Sequence, residues 1–291
     1  MITPNPQQPA NESNQTLIDS AATNLAPVSE NPTLDAEVLL CHCLRKSRSF
    51  LRAWPEHYPS TSQAAEFKTL VQLRAQGHPV AYLTGQREFW SREFKVSPDV
   101  LIPRPETELL IELALKLLPT GKPAKIIDLG TGSGVIAITL AAERPLVEVI
   151  AVDTSHSALA IAKDNARQVG AANVKFVNSA WMSNIADLDF DLVISNPPYI
   201  ASDDPHLQQG DVRFEPDSAL VSAENGLRDI RLIAEQAREH LKPGGHLLVE
   251  HGYNQQAAVQ TIFKNLNYQQ ISTHADLSGN PRVTSGSWNP K

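Results

Sequence analysis

Beyond residue 123, apolar residues gather in short runs separated by longer stretches in which apolar and polar positions follow a helical period. The runs have the length of buried strands, and the stretches between them have the spacing of amphipathic helices. This alternation predicts an α/β fold with a parallel sheet covered on both faces. Strands are expected at 125–129, 148–152, 174–177, 190–195, 246–250, 268–273 and 282–285, and helices at 134–143, 155–169, 226–241 and 255–266.

The first quarter of the chain has a different pattern. Residues 1–13 are rich in Pro, Asn, Gln and Ser, and a disordered tail is expected there because large apolar groups are almost absent. A helical period then runs through 14–78 and predicts a small helical domain. Thr33 is a candidate cap for one helix, and Ser60 with Gln63 matches a capping box at the start of another.

Residues 79–105 are richer in aromatic and β-branched side chains, with Gly85 as a candidate turn. This composition predicts a hairpin or an extended linker between two domains. Pro105 is well placed to open a helix, because the first turn of a helix leaves its N–H groups without partners and proline has none. The second domain is expected to span 106–291.

Composition narrows the class of protein. The 291 residues are 42% hydrophobic, carry a net charge of -7 and include two cysteines. No apolar run approaches the roughly 20 residues that cross a bilayer, the start lacks a secretory signal, and the acidic balance disfavours direct binding of nucleic acid. A cytoplasmic protein without disulfides is expected. Cys41, His42 and Cys43 are not expected to bind a metal, because alternate residues of a helix point apart.

A glycine-rich segment, 128–134, joins the first predicted strand to the helix that follows it. It reads Asp-Leu-Gly-Thr-Gly-Ser-Gly, and its glycines permit a tight turn with backbone close to a ligand. A plain strand-to-helix turn without a ligand is the alternative. The glycine spacing differs from the dinucleotide-binding pattern, so a pyrophosphate is not the expected ligand.

Asp153 ends the next predicted strand, about 20 residues beyond the glycines, where an acidic side chain can accept hydrogen bonds from ribose hydroxyls. It is also placed to cap the helix that begins near Ser155, and the two roles are compatible. Together with the glycine-rich segment, Asp153 indicates a cofactor of the adenosine type.

Asn196, Pro197, Pro198 and Tyr199 follow the fourth predicted strand, at the edge where open parallel sheets bind ligands. The two prolines restrict the backbone of this loop. The Asn196 side-chain carbonyl and the Pro197 backbone carbonyl can each accept one N–H of a planar nitrogen, which orients it for methyl transfer. Tyr199 offers a ring face for a flat amide or base. An incidental Pro-Pro turn is the alternative.

The segment 128–134, Asp153 and the Asn-Pro-Pro-Tyr loop resemble the three main motifs of class I methyltransferases that act on amino or amide nitrogens. The resemblance implies a Rossmann-like, mostly parallel seven-stranded sheet and S-adenosylmethionine as cofactor. Ala180 stands where such enzymes often place an acidic residue near the adenine, and Trp181 is either a wall for the base or part of the core. The cofactor-binding residues expected from this resemblance are Gly130, Thr131, Gly132, Ser133, Gly134, Asp153, Trp181 and Asn196.

Three further segments, 82–89, 101–108 and 213–216, resemble the HemK/PrmC family. The resemblance implies methylation of the glutamine in the Gly-Gly-Gln motif of peptide chain release factors. Asn196, Pro197 and Tyr199 are the expected catalytic residues, and the same three with Pro198 are expected to bind the substrate. The helical domain is expected to recognise the substrate. Methylation of adenine or guanine in nucleic acid, methylation of a ribosomal-protein glutamine, and a non-catalytic adapter are the alternatives.

Four residues of these segments have two interpretations each. Arg104 and Glu106 belong either to the site or to the start of a helix, where an acidic residue is favoured. Phe214 and Glu215 either contact the substrate or pack within their own loop.

Overall fold

The computed structural model describes residues 11–290. Within them the chain forms two compact units, one of residues 11–85 with 208–214 and the other of residues 86–207 with 215–290. The tail expected at 1–13 lies outside the described residues as far as residue 10, and Ser13 is the N-cap of the first helix. No helix between residues 11 and 290 combines the length and the apolar character needed to cross a bilayer.

The first unit is helical. Its described helices are α1 (Asn14–Leu25), α2 (Pro32–Leu44), α3 (Arg48–Ala53), α4 (Thr61–Ala75) and α5 (Val80–Thr84). The capping box of Ser60 and Gln63 is confirmed at the start of α4. The cap expected at Thr33 is wrong: Asn31 caps α2, with its side chain accepting the Leu34 N–H at 3.2 Å, because Pro32 takes the first helical position.

Extended chain was expected from Val80, but α5 occupies that place and Gly85 ends it with a positive φ of 73°. The antiparallel pair that follows, β1 (Gln86–Phe89) with β2 (Arg92–Lys95), belongs to the second unit. Its turn is formed by Trp90 and Ser91, with φ of 51° and 56°. Gly85 is therefore the end of a helix and not the turn of the hairpin.

The second unit continues with alternating helices and strands. Pro105 opens a short 3-10 turn, Pro105–Thr107, before the first long helix. The elements after that turn are α6 (Glu108–Leu117), β3 (Ala124–Leu129), α7 (Val135–Glu143), β4 (Val147–Asp153), α8 (His156–Val169), β5 (Val174–Asn178), β6 (Phe190–Ser195), α9 (Asp217–Leu220), α10 (Ala223–Gly226), α11 (Arg228–His240), β7 (Leu241–Glu250), α12 (Gln256–Asn265), β8 (Gln269–Ala275) and β9 (Pro281–Trp288).

The predicted α/β fold with a mostly parallel sheet of seven strands is confirmed. Among the described residues the strand order is β5-β4-β3-β6-β7-β9-β8, and only β9 runs antiparallel to its neighbours. The chain leaves β3 toward β4 on one side, whereas β6 lies on the other side of β3. Open sheets bind ligands at such a switch point, beyond the carboxyl ends of the strands.

Two apolar layers hold the sheet. Alternate strand residues point to opposite faces, so Ile126 packs in the layer formed with α6 and α7, whereas Ile127 packs in the layer formed with α11 and α12. Both residues are fully buried. The sheet is therefore covered on both faces, and the loops that follow its strands begin at a packed edge.

Candidate active site

A cavity of about 300 Å³ opens at the carboxyl ends of β3, β4 and β6. Its volume is at the small end of the range for ligand pockets, roughly 300–1,000 Å³. Most of the residues predicted for the site line it: Gly130, Thr131, Gly132, Ser133, Asp153, Trp181, Asn196 and Pro198. Gly134, Pro197 and Tyr199 are not among its lining residues.

The glycine-rich segment turns sharply after β3 and is held against β4. The Gly130 and Thr131 N–H groups both donate to the carbonyl of Val152, at 2.9 and 2.8 Å. Gly130 has a φ of 74°, and a Cβ there would lie 3.3 Å from the Trp181 ring. Gly134 has a φ of 86° and is the N-cap residue of α7, and it does not line the cavity.

Asp128 lies beneath this turn and was not predicted as a site residue. It is fully buried, and its Oδ2 accepts hydrogen bonds from the Thr131 hydroxyl at 2.6 Å and the Ala137 N–H at 3.2 Å. Oδ1 has no partner among the described residues. Burial raises the pKa of Asp128 to about 7. Asp128 therefore ties the loop to the first turn of α7.

Asp153 ends β4 and faces the cavity. Its Oδ2 accepts the Gly132 N–H at 2.9 Å, and its Oδ1 accepts the Ser155 N–H at 2.9 Å. Ser155 itself caps α8, because its side chain accepts the Ala158 N–H at 3.1 Å. Ser155, and not Asp153, is thus the cap of α8. Each Asp153 oxygen retains a lone pair for a ligand hydroxyl.

Trp181 combines the two roles left open by the sequence. It lines the cavity and also packs against the α11 and α12 layer of the core. Ala180, where an acidic residue was expected, is exposed and does not line the cavity. The buried Ser179 lines it instead.

Asn196 follows β6, whose last residue, Ser195, donates its hydroxyl to the Leu129 carbonyl at 2.7 Å. The Asn196 Nδ2 donates to the Thr107 hydroxyl at 3.2 Å. Neither the Asn196 Oδ1 nor the Pro197 carbonyl accepts a hydrogen bond from another residue between 11 and 290. Two acceptors are therefore available at the loop where the sequence predicted them.

Tyr199 is placed differently from the platform that was predicted. Its ring packs against the α11 and α12 layer, outside the cavity lining, and its hydroxyl donates to Glu250 Oε1 at 3.3 Å. Burial and the Glu250 charge raise the pKa of Tyr199, so the phenol stays protonated. Pro198, next to it, does line the cavity.

Glu250 is a buried carboxyl group that was not predicted as a site residue. Burial raises its pKa to about 7, while the Thr107 side chain, the Arg282 charge and the Tyr199 hydroxyl act in the opposite direction. A signal was present, because Glu250 ends an apolar strand in the same way as Asp153 and Asn196.

The segments around Arg104 and Glu215 meet at the cavity. Glu215 is buried, forms an ion pair with Arg104 and accepts the Ile102 N–H at 3.2 Å. Arg104 lines the cavity, whereas Glu106 and Glu215 do not. Glu215 is therefore a packed residue of its loop. Its carboxylate holds the backbone at Ile102 and the side chain of Arg104.

Phe214 belongs to the first unit, where its ring lies 4.6 Å from that of His78. Cys43 is buried in the core of the same unit, and burial raises the pKa of its thiol to about 12. Between residues 11 and 290 no three potential metal ligands lie together.

Known proteins resemble this chain along nearly its whole length. A family model described as PrmC N-terminal domain matches residues 16–85, and one described as Methyltransferase small domain matches residues 106–211. The release factor glutamine methyltransferase of Shewanella oneidensis is 48% identical over 92% of this chain and 93% of its own length. The enzyme of the same name from Vibrio cholerae is 49% identical over 89% of this chain and 91% of its own length.

A solved structure agrees with the fold. The hMettl16 catalytic domain has a TM-score of 0.55 and 14% sequence identity, and the match covers 86% of this chain and 90% of that chain. Identity this low supports the fold alone, whereas the relatives above share the sequence of both units. The chain therefore belongs to the release factor glutamine methyltransferase family.

Proposed function

We propose that the protein transfers a methyl group from S-adenosylmethionine to the side-chain amide nitrogen of the glutamine in the Gly-Gly-Gln motif of peptide chain release factors. The observation that carries the proposal is the state of Asn196. Its NH₂ group is engaged by Thr107, so its Oδ1 is left as an acceptor beside the cavity. The names of the close relatives support the choice of substrate.

The cavity residues fit this cofactor. Asp153 offers carboxylate oxygens with lone pairs for ribose hydroxyls, and the turn at Gly130 brings backbone to the cavity. We assign Trp181 and Ser179 to the part of the cavity that binds the adenine. They take the place of the acidic residue that such enzymes often have at the position of Ala180. When bound, S-adenosylmethionine supplies an electrophilic methyl group on a positively charged sulfur.

The chain's own groups hold and orient the acceptor nitrogen. An amide nitrogen is a weak nucleophile because its lone pair is delocalised into the carbonyl. The Asn196 Oδ1 and the Pro197 carbonyl each accept one of its N–H groups, which directs the nitrogen at the methyl group and stabilises the charge that develops on it. Pro198 forms the adjacent wall, and Tyr199, anchored on Glu250, supports the loop.

We assign recognition of the release factor to the helical domain, residues 14–78, followed by a linker at 79–105 and the methyltransferase domain at 106–291. The proposed partner is a protein, without direct contact to nucleic acid or membrane. The cytoplasm is the proposed location, in keeping with two cysteines that are both free.

The test is an incubation of the protein with S-adenosylmethionine labelled in the methyl group and one acceptor at a time. The acceptors are a purified release factor, the same factor with its Gly-Gly-Gln glutamine changed to alanine, a ribosomal protein fraction, and nucleic acid. We expect label in the intact release factor and none in its glutamine variant. Label in nucleic acid or ribosomal protein alone would refute the proposal.

A further inference from the structure

The C-terminal end of the Asn-Pro-Pro-Tyr loop is held by the side chain of Gln255. The Gln255 Nε2 donates to the Tyr199 carbonyl at 3.0 Å and to the Asn225 carbonyl at 3.2 Å. Gln255 is half-buried and is the N-cap residue of α12, in the loop that follows β7. Because β7 is the parallel neighbour of β6, Gln255 joins the loops that follow two adjacent strands.

The opposite end of the Gln255 amide fixes its orientation. The Gln255 Oε1 accepts the Gly252 N–H at 2.8 Å, and the Gln255 N–H donates in turn to the Gly252 carbonyl at 2.9 Å. An amide turned by a half-rotation would place its NH₂ group against the Gly252 N–H and its oxygen against two carbonyls. One orientation alone satisfies these contacts, so the Gln255 donor is directed at the Asn-Pro-Pro-Tyr loop.

The loop itself is short of backbone donors. Pro197 and Pro198 have no N–H group, so half of the four loop residues cannot form the usual backbone hydrogen bond as donors. The next N–H along the chain, that of Ile200, donates to the Leu220 carbonyl at 2.9 Å. Contacts to the loop's carbonyl groups therefore matter more than they do in an ordinary loop, and Gln255 makes such a contact at Tyr199.

The backbone at Gly226 is shaped to admit this contact. A Cβ on Gly226 would lie 2.0 Å from the Tyr199 carbonyl oxygen and 2.7 Å from the Gln255 Nε2, so no side chain fits there. The φ of Gly226 is 82°, and Glu224 and Asn225 before it also have positive φ values, of 57° and 56°. A residue other than glycine adopts such values at a cost, and here they bring the Asn225 carbonyl within reach of Gln255.

We propose that Gln255 is a positioning residue, which acts through the Tyr199 carbonyl to keep the acceptors of Asn196 and Pro197 directed at the reacting nitrogen. The effect on methyl transfer rests on the proposed function, whereas the hold on the loop is a property of the protein alone. Gln255 does not line the cavity, whereas Asn196 and Pro198 do. Gln255 therefore acts through the loop, and a displacement of about 1 Å in reacting groups can lower a rate roughly 100-fold.

The kinetic test compares two substitutions of Gln255. Gln255→Met keeps the length of the side chain and removes the amide. Gln255→Glu keeps the shape and the acceptor for the Gly252 N–H, but an ionised carboxylate turns an oxygen toward two carbonyls. We expect kcat to fall roughly 10-fold in Gln255→Met and further in Gln255→Glu, with the cofactor dissociation constant unchanged. Gln260→Met, which removes an amide that donates to the Thr273 hydroxyl at 2.9 Å on the same helix, is the matched control and should leave kcat unchanged.

The order of the two variants separates positioning from packing. A side chain that only filled space would tolerate Gln255→Glu, which has the same shape, better than Gln255→Met. Positioning through a donated hydrogen bond predicts the reverse order in kcat. A general loss of folded protein would lower cofactor binding and kcat together, and calorimetry distinguishes the two cases. Equal kcat values for Gln255→Met and Gln260→Met, or turnover of Gln255→Glu as fast as that of the wild-type protein, would overturn the proposal.

A second measurement does not require a methyl acceptor. Tyr followed by Ile occurs once in the sequence, at Tyr199 and Ile200. Protein labelled with ¹³C at the tyrosine carbonyl and with ¹⁵N in isoleucine should therefore give a single HNCO signal. Loss of the hydrogen bond should move the carbonyl frequency of this signal upfield in Gln255→Met and leave it in place in Gln260→Met. If the signal moves but the wild-type protein methylates no release factor, the proposed function fails and the hold on the loop stands. A signal that does not move in Gln255→Met would overturn the positioning role, whatever the substrate.

Discussion

Polar side chains stand at the carboxyl ends of three strands: Asp153 on β4, Asn196 just beyond β6 and Glu250 on β7. Asp153 and Asn196 line the cavity, whereas Glu250 does not. Each interrupts an apolar run at the edge of the sheet where ligands bind. The first two were predicted as site residues from this pattern and their neighbours. The third was missed because no adjacent motif drew attention to it, and its partner, the Tyr199 hydroxyl, is distant in sequence.

Replacement of Asn196 by alanine tests the proposed contact with the reacting nitrogen. We expect kcat to fall roughly 100-fold or more, because an acceptor that orients the nucleophile and stabilises its developing charge is lost. The cofactor dissociation constant, measured by calorimetry, should remain nearly unchanged. Turnover close to that of the wild-type protein would contradict the assignment of Asn196.

Replacement of Asp153 by alanine should act on the cofactor instead. Loss of charge-assisted hydrogen bonds to ribose should weaken cofactor binding by roughly 1.5 to 3 kcal/mol. Asp164→Ala, on the outer side of α8 in an ion pair with Lys95, is the matched control and should bind the cofactor normally. Equal affinities of the two variants in calorimetry would show that Asp153 does not hold the ribose.

At the scale of elements, the start of α7 depends on Gly134. A Cβ at this position would lie 2.5 Å from Ile138 Cδ1 and 3.1 Å from Ala162 Cβ, and φ is 86°. Gly170, at the end of α8, has a similar φ of 80° but no atom within 4 Å of a Cβ. Both alanine variants should therefore lose roughly 1–2 kcal/mol to left-handed strain, and Gly134→Ala should lose about 1–3 kcal/mol more to overpacking. Urea unfolding of the two variants measures the difference, and equal losses would mean that the close packing against α8 contributes nothing.

Helices and strands were predicted well where the pattern of apolar residues agreed with the polar or turn residues at its ends. The strands β3 to β6 lie within about two residues of their expected ends, because each apolar run is bounded by polar or turn residues. The hairpin turn was not located, because Trp90 and Ser91 adopt positive φ values that usually belong to Gly, Asn or Asp. The helix α11 begins two residues later than expected, because Glu224 and Asn225 are left-handed and the chain only then enters a regular helix.

At the scale of the molecule, one feature of the first unit had no signal in the sequence pattern. Residues 208–214 join this unit, and Asp211 binds the Arg74 guanidinium at 2.8 Å. Arg74 also binds Asp35 at 2.7 Å, and it is only 8% exposed, so its charge is balanced inside the unit. The periodicity of a sequence reports only on residues that are near one another in the chain. An ion pair between residues so far apart could therefore not be predicted from it.

The unfolding free energy of the protein should depend on pH because of its buried carboxyl groups. Glu250 has a folded pKa of about 7, above the ordinary value for a glutamate, so at intermediate pH the folded state keeps a proton that the unfolded state releases. Its contribution to stability is therefore full below its unfolded pKa and is lost as the pH rises through 7. Asp128 acts in the same direction, whereas Asp276, whose pKa is lowered, acts in the opposite one. The pH dependence of the unfolding free energy is a sum of opposing contributions. The contribution of one residue must therefore be measured as the difference between a variant and the wild-type protein.

Glu250→Gln supplies that difference, because glutamine keeps the shape of the side chain and does not titrate. Relative to the wild-type protein, the variant should gain unfolding free energy on the order of 2 kcal/mol between pH 5 and pH 8. Glu239→Gln, on the exposed side of α11, is the control, since that carboxylate is hydrated in both states. The measurement is denaturant unfolding of the three proteins across this pH range. A difference between Glu250→Gln and the wild-type protein that stays constant with pH would mean that Glu250 is already ionised at pH 5.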